Sequence, residues 1–355
     1  MKILFKMSII IVIFCLFTVT ASADTADEYI DKYEQILPEG FEGLQSEIKD
    51  GFDIPGILSG IIDVFSGKIP DFIIFFLTLL GLILLLGCAE LVPERMRNTS
   101  RTAVSVVSSL YIGVTVTGIF SELGCAVSEA GEFFSSSVPI LSAITLAGGG
   151  VQGAAAQAAG MNIVLSVVGG VMGTALSSLS GFSLAMGLAS SLGSEGCASV
   201  GKYSKNLFMW IFGIGTALLM GMLSLQTIVS SSSDGAAMKM AKYMASGYIP
   251  LVGGTISASL STLAAGLSYA KGVVGVSAVM VLIFLLLSPL ALALVYRLAL
   301  SFASGVASLM GVFSAEKTFI SFRSSFDVLI GMYCLSGILY VFEFILFMKS
   351  GVAIL

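Results

Sequence analysis

Between Phe72 and Gly87 the chain runs through sixteen residues without one charge, nearly all of them Phe, Ile or Leu. A run of this length and composition has few places to fold. It is too long and too uniformly apolar for a half-buried strand, whose residues alternate between faces. Buried in a bilayer it satisfies its own backbone hydrogen bonds only as a helix. Similar runs recur down the chain. Over all 355 residues 56% are hydrophobic and 11% charged, with a mean hydropathy of +1.01. A water-soluble domain carries roughly 25% charged residues. The chain therefore reads as an all-α, polytopic membrane protein. Outer-membrane barrels are excluded by the absence of strand alternation.

The N-terminus has a separate character. Lys2 and Lys6 precede an apolar run from Met7 to Val19, and Ala21-Ser22-Ala23 stands before Asp24. That is the pattern of a cleavable signal peptide over residues 1–23. Residues 24–71 carry twelve acidic and three basic side chains. Tyr29, Ile30, Tyr33, Ile36 and Leu37 recur at helical spacing there. This block is too short for a core of its own. It is either an amphipathic, extracytoplasmic segment lying on the membrane or a partner, or a solvated acidic linker.

Residues 72–355 form the membrane domain. Six full spans are expected: Phe72–Ala89, Thr102–Ser121, Met161–Ser180, Asn206–Val229, Gly272–Tyr296 and Phe326–Met348. Two further segments, 138–160 and 250–272, either cross or re-enter, so the total is six to eight. Arg95, Arg97 and Arg101 fill the loop after the first span, and Lys202 and Lys205 follow the short small-residue-rich stretch Phe182–Leu192. Short basic loops mark the cytoplasmic side. The stretch with Glu122, Glu129 and Glu132 is expected as a loop on the opposite side.

The two ambiguous segments resemble each other. Pro139 leads to Gly148-Gly149-Gly150 and a small-residue run to Gly160; Pro250 leads to Gly253-Gly254 and a run to Gly272. Their matched positions suggest a two-unit internal repeat, 102–200 and 206–297. Paired Gly/Pro-interrupted segments point to a transporter's pathway. Pro139, Gly149, Gln152, Gly153, Gln157, Pro250, Gly253 and Gly254 are accordingly the candidate pathway or packing residues, with the Gln amides offered to a cavity. The two segments are expected to face each other inside the protein. Alternatively, they are only loosely hydrophobic packing helices; small residues spaced by four, such as Gly149/Gly153 and, in the following span, Gly169/Gly173, allow close backbone approach.

Chemistry is scarce. The chain has no histidine, so His-based triads, most zinc sites and haem ligation fall away. Cys15, Cys88, Cys125, Cys197 and Cys334 stand singly. Gly181-Phe182-Ser183 resembles the setting of an intramembrane serine nucleophile, but no histidine supplies its base. No phosphate-binding G-K-[ST] motif exists. No catalytic residue, metal ligand or cofactor is expected, and no nucleic-acid partner. Of the ionisable residues in the last span, Glu343 is expected to snorkel to the outer interface, and Asp327 to pair with Arg323 one turn away.

With these residues laid out, the chain resembles the stage III sporulation protein AE family of endospore-forming bacteria. The resemblance is carried by the signal segment, the acidic block, Glu90-Leu91-Val92 before the basic loop, and above all Ile249-Pro250-Leu251-Val252-Gly253-Gly254-Thr255. Lys271-Gly272-Val273-Val274-Gly275, Tyr296-Arg297 and the Phe326–Met348 span extend it. It implies a multi-pass, permease-like component of the channel between mother cell and forespore, in the mother-cell-derived outer forespore membrane. It also implies work beside membrane lipid, the other stage III A proteins (an ATPase among them) and the forespore protein SpoIIQ. The protein would form or scaffold a transport path and support late forespore gene expression. A structural assembly platform without a pore, and self-association of the chain, stay open.

Overall fold

The computed structural model describes residues 54–91, 93–191, 195–248 and 253–350. The signal segment and Pro250 lie outside these. Seven helices follow one another: α1 (Ile54–Gly67), α2 (Ile69–Glu90), α3 (Glu94–Ala147), α4 (Val151–Ser191), α5 (Glu195–Tyr248), α6 (Gly253–Leu309) and α7 (Phe313–Lys349). No strand occurs among the described residues. Six of the helices, α2 to α7, contain stretches long and apolar enough to cross a membrane.

Several helices are far longer than a bilayer requires. α3 has 54 residues, and at 1.5 Å per residue such a helix extends roughly 80 Å, against an apolar bilayer core of about 30 Å. The stretch with Glu122, Glu129 and Glu132, expected as a loop, is helix throughout. The reason lies in its spacing. Glu122, Cys125, Glu129, Glu132 and Ser136 are exposed, while Leu123, Ala126, Val127, Ala130 and Phe134 are buried. This is an amphipathic helical stripe, and its buried face carries the helix through Gly124 and Gly131.

Pro139 does not break α3 either; it sits inside the helix at an exposed position, as Pro289 sits inside α6. The break comes at Gly148-Gly149-Gly150. Gly149 takes φ +81°, a left-handed conformation open to glycine. Gly150 N–H donates to Thr145 O at 3.0 Å, closing the helical hairpin. Gly311, φ +75°, turns α6 into α7 in the same way. The suggested unit 102–200 takes in most of α3, all of α4 and the first residues of α5, and the unit 206–297 takes in most of α5 and of α6.

α7 is the centre of the bundle and packs against α3, α4, α5 and α6. Phe319, Phe322, Phe326, Tyr333, Tyr340, Phe344 and Phe347 are all buried along it. Phe134 of α3 meets the Tyr340 ring at 4.8 Å and the Phe344 ring at 5.2 Å. Phe120 meets Phe326 edge-on at 5.9 Å. Such aromatic pairs add about 0.5–1.5 kcal/mol beyond the area they bury. Tyr333 donates its hydroxyl proton to Leu286 O of α6 at 3.1 Å. α2 covers α6 through Phe75 and Tyr296, 4.6 Å apart. α1, the end of the acidic block, docks on α6 where Gly60 faces Phe284.

Of the glycines paired by spacing, Gly153 makes a close approach, to Asp234. Gly169 has open space around it. Elsewhere Gly187 lies under the Phe322 ring, Gly275 under Met348 and Gly331 under Met209. α5 behaves differently from the rest. Leu207, Trp210, Ile211, Ile214, Leu218, Met222, Leu225 and Ile228 are all exposed on it, the surface a helix offers to lipid or to another protein.

Candidate functional site

Two polar clusters interrupt this apolar bundle. They lie toward opposite ends of α7, separated by the interval from Asp327 to Glu343, roughly 24 Å of helix.

At the first cluster Asp327 accepts from both Lys205 of α5 and Arg297 of α6. One carboxylate thus ties three helices. The side chains of Asp327, Lys205 and Arg297 are 9%, 15% and 19% exposed, so water screens them little. Arg323, expected to pair with Asp327, instead donates through Nη1 to Ser301 Oγ at 3.3 Å. The spacing of one helical turn does not make the pair, because the neighbouring helices α5 and α6 bring Lys205 and Arg297 onto the carboxylate. Further toward the N-terminus of α7, Ser314 shares a hydrogen bond of 3.0 Å with Ser105 of α3.

The second cluster surrounds the α3–α4 hairpin tip. The Asp234 carboxylate of α5 accepts from the backbone N–H of Gln152 at 3.1 Å and of Gly153 at 2.6 Å. It caps the first turn of α4, where unpaired N–H groups and the positive end of the helix dipole both favour an anion. Gly150 and Gly153 make room for it: a methyl at Gly153 would stand 2.8 Å from Asp234 Oδ2. Deeper in, Gln226 Nε2 donates to Ala156 O at 3.0 Å. Gln157 is 6% exposed, and its Oε1 lies 3.3 Å from Thr145 Oγ1.

Glu343 does not snorkel. It is 2% exposed and stands against Gly160, where a methyl would come 2.5 Å from its Oε1. The expectation counted helical rise alone, and missed that a glycine on α4 opens a place for a carboxylate inside the bundle. Lys271 of α6 is 5% exposed. Its ammonium donates to Ser350 O at 2.8 Å and lies 5.1 Å from the centre of the Phe347 ring, a cation–π contact.

Gly153, Gln157, Thr227, Ser230, Glu343, Leu346, Phe347 and Ser350 line a small recess of about 10 Å³, room for one water-sized group, between α4, α5 and α7. Among the described residues, Glu343 Oε2 and Gln157 Nε2 are buried without a hydrogen-bond partner. Buried polar atoms are paired in the great majority of cases, so two orphans on one recess point to an occupant. Described residues hold no group of His, Cys, Asp and Glu that could ligate a metal by themselves.

Of the candidate residues from the sequence, the structure gathers Gly149, Gln152, Gly153 and Gln157 at this tip. Pro139 stands apart and exposed, and Gly253 and Gly254 open α6. Among the described residues, Gly148 of the first paired segment faces Leu267 of the second. Asp234, Thr227, Ser230 and Lys271 were missed. Asp234 follows four serines in the sequence, and only its partner 81 residues away gives it a role.

No curated protein and no solved structure matches the chain. A family model does, that of stage III sporulation protein AE, over residues 43–312. The match takes in part of the acidic block and ends at the α6–α7 turn, so α7 lies beyond it. Membership carries a role in sporulation and agrees with the six apolar helices of a multi-pass membrane protein. Since the match spans well over half of its length, the chain belongs to the stage III sporulation protein AE family.

Proposed function

We propose that the protein is a non-enzymatic, permease-like component of the channel between mother cell and forespore. It sits in the outer forespore membrane with the other stage III A proteins and SpoIIQ, and forms or scaffolds a transport path. The observation that carries this reading is the polar recess bounded by Gln157, Thr227, Ser230 and Glu343 within a bundle of apolar helices. Polar side chains are costly inside such a bundle and mark pathways for ions or solutes. The basic residues Arg101, Lys205, Arg297 and Arg323 belong to the Asp327 end, which faces the mother-cell cytoplasm by the positive-inside rule. The recess then opens toward the intermembrane side. The first paired segment contributes Gly153 and Gln157 to the recess, and Leu267 of the second faces Gly148 at the hairpin tip beside it.

A platform without its own pore is the second reading. It is favoured by α5, whose apolar span is only 6% buried within the bundle and offers a broad face to partners. Gly253→Leu separates the two. The path reading expects the stage III A complex to assemble, measured by co-purification, while late forespore gene expression stops. Loss of assembly together with function supports the platform.

A further inference from the structure

The recess has an unusual balance of donors and acceptors. Thr227 Oγ1 lies 3.0 Å from Leu223 O, Ser230 Oγ 3.0 Å from Thr227 O, and Ser350 Oγ 2.9 Å from Phe347 O. A hydroxyl has one proton, and each of these is given to a backbone carbonyl. What the three oxygens keep for the recess is lone pairs.

Gln157 extends the same logic. Thr145 Oγ1 lies 2.9 Å from Leu141 O and 3.3 Å from Gln157 Oε1. Its single proton serves the shorter contact, as in other helical threonines. The contact to Gln157 then needs a donor from the amide, which requires the NH₂ group to face Thr145. Amide O and N are assigned from the hydrogen-bond network. Turned this way, Gln157 satisfies Thr145 and leaves Oε1, an acceptor, as its orphan atom. Glu343 Oε2 is the second orphan acceptor. Lys271, whose ammonium is engaged by Ser350 O and the Phe347 ring, forms no ion pair with Glu343 among the described residues.

We propose that the recess binds one monovalent metal cation, held by the Glu343 carboxylate with Gln157 Oε1, Thr227 Oγ1 and Ser230 Oγ as neutral oxygen ligands. A single carboxylate neutralises a single positive charge. A divalent ion would leave net positive charge buried near Lys271, which disfavours it. Gly160 lets the Glu343 carboxylate lie against α4, the helix that carries Gln157: a methyl there would stand 2.5 Å from Oε1. Binding is a property of the folded chain and does not depend on whether it forms a path.

The test uses the full chain in lipid nanodiscs, with its thermal midpoint followed in sodium, potassium or N-methylglucamine chloride at one ionic strength. Sodium or potassium should raise the midpoint saturably relative to N-methylglucamine, and the arm that does so identifies the ion. Glu343→Gln should abolish the response. Thr227→Ala, which leaves the carboxylate in place, should raise the half-saturating concentration about tenfold, the equivalent of roughly 1.4 kcal/mol for one lost ligand. Equal midpoints in all three salts overturn the proposal. So does a Thr227→Ala protein with the wild-type midpoint curve, or a midpoint that follows pH and ignores the cation, which would assign the recess to a proton alone.

Discussion

The Asp234 carboxylate accepts the Gly153 N–H at 2.6 Å and thereby fastens α5 to the first turn of α4. A cap of this kind is worth about 1 kcal/mol, with a further 0.3–1 kcal/mol from the helix dipole when the cap is charged. Asp234→Ala should therefore destabilise the protein by about 1–2 kcal/mol. Asp234→Asn keeps an acceptor and should lose roughly half as much. Thermal unfolding in detergent checks the order; equal midpoints for both variants and wild type would remove the cap from the account.

Asp327 binds two cations, which makes the three residues unequal. Asp327→Ala strands both Lys205 and Arg297 in a place where each is largely covered. Breaking a buried pair this way costs about 3–5 kcal/mol. Lys205→Met should cost clearly less, because Arg297 still balances the carboxylate. A double-mutant cycle between positions 205 and 327 measures the coupling, which should exceed about 0.5 kcal/mol.

Two glycines on helices should respond in opposite directions to the same methyl. At Gly187 an added Cβ overlaps the Phe322 ring, whereas at Gly81 it meets nothing within 4 Å. Gly187→Ala should cost about 1–3 kcal/mol by overpacking. Gly81→Ala should be neutral or stabilise by up to about 1 kcal/mol, the helix-propensity difference. Melting curves of the two single variants decide it.

The exposed stripe of α3 carries Cys125 between Glu122 and Glu129. If the Arg101 end is cytoplasmic, Cys125 is on the far side and Cys197 is not. A membrane-impermeant maleimide applied to intact cells should label Cys125 and spare Cys197. Labelling of Cys197 alone would invert the orientation. Intact-mass measurement of the membrane-extracted protein should give a chain beginning at Asp24.

How much of this was legible in advance follows from range. The apolar runs were read correctly because a membrane span is a local property of some twenty residues; all six expected spans fall within or overlap the six observed stretches. Local breakers were over-read. Pro139 and the Glu122–Glu132 stretch looked like interruptions, yet packing of Leu123, Val127 and Phe134 carries the helix through. The glycine triplet at 148–150, whose left-handed residue turns the chain, was within the segment singled out, but its role as a hairpin tip was not. The polar site was half visible. Gln152, Gly153 and Gln157 stood out for composition, whereas Glu343 needed its partner Gly160, and Asp234 its partner Gly153, neither of which any local window contains.

The central claim is that the recess between α4, α5 and α7 belongs to a path, and Thr227→Leu tests it most directly. Thr227 is half-buried at its rim, and leucine there fills the space while favouring the helix. In sporulating cells the variant should be present at the wild-type level and co-purify with the other stage III A proteins, yet late forespore gene expression should fall to the level of a null strain. Wild-type forespore expression with the recess filled would contradict the account.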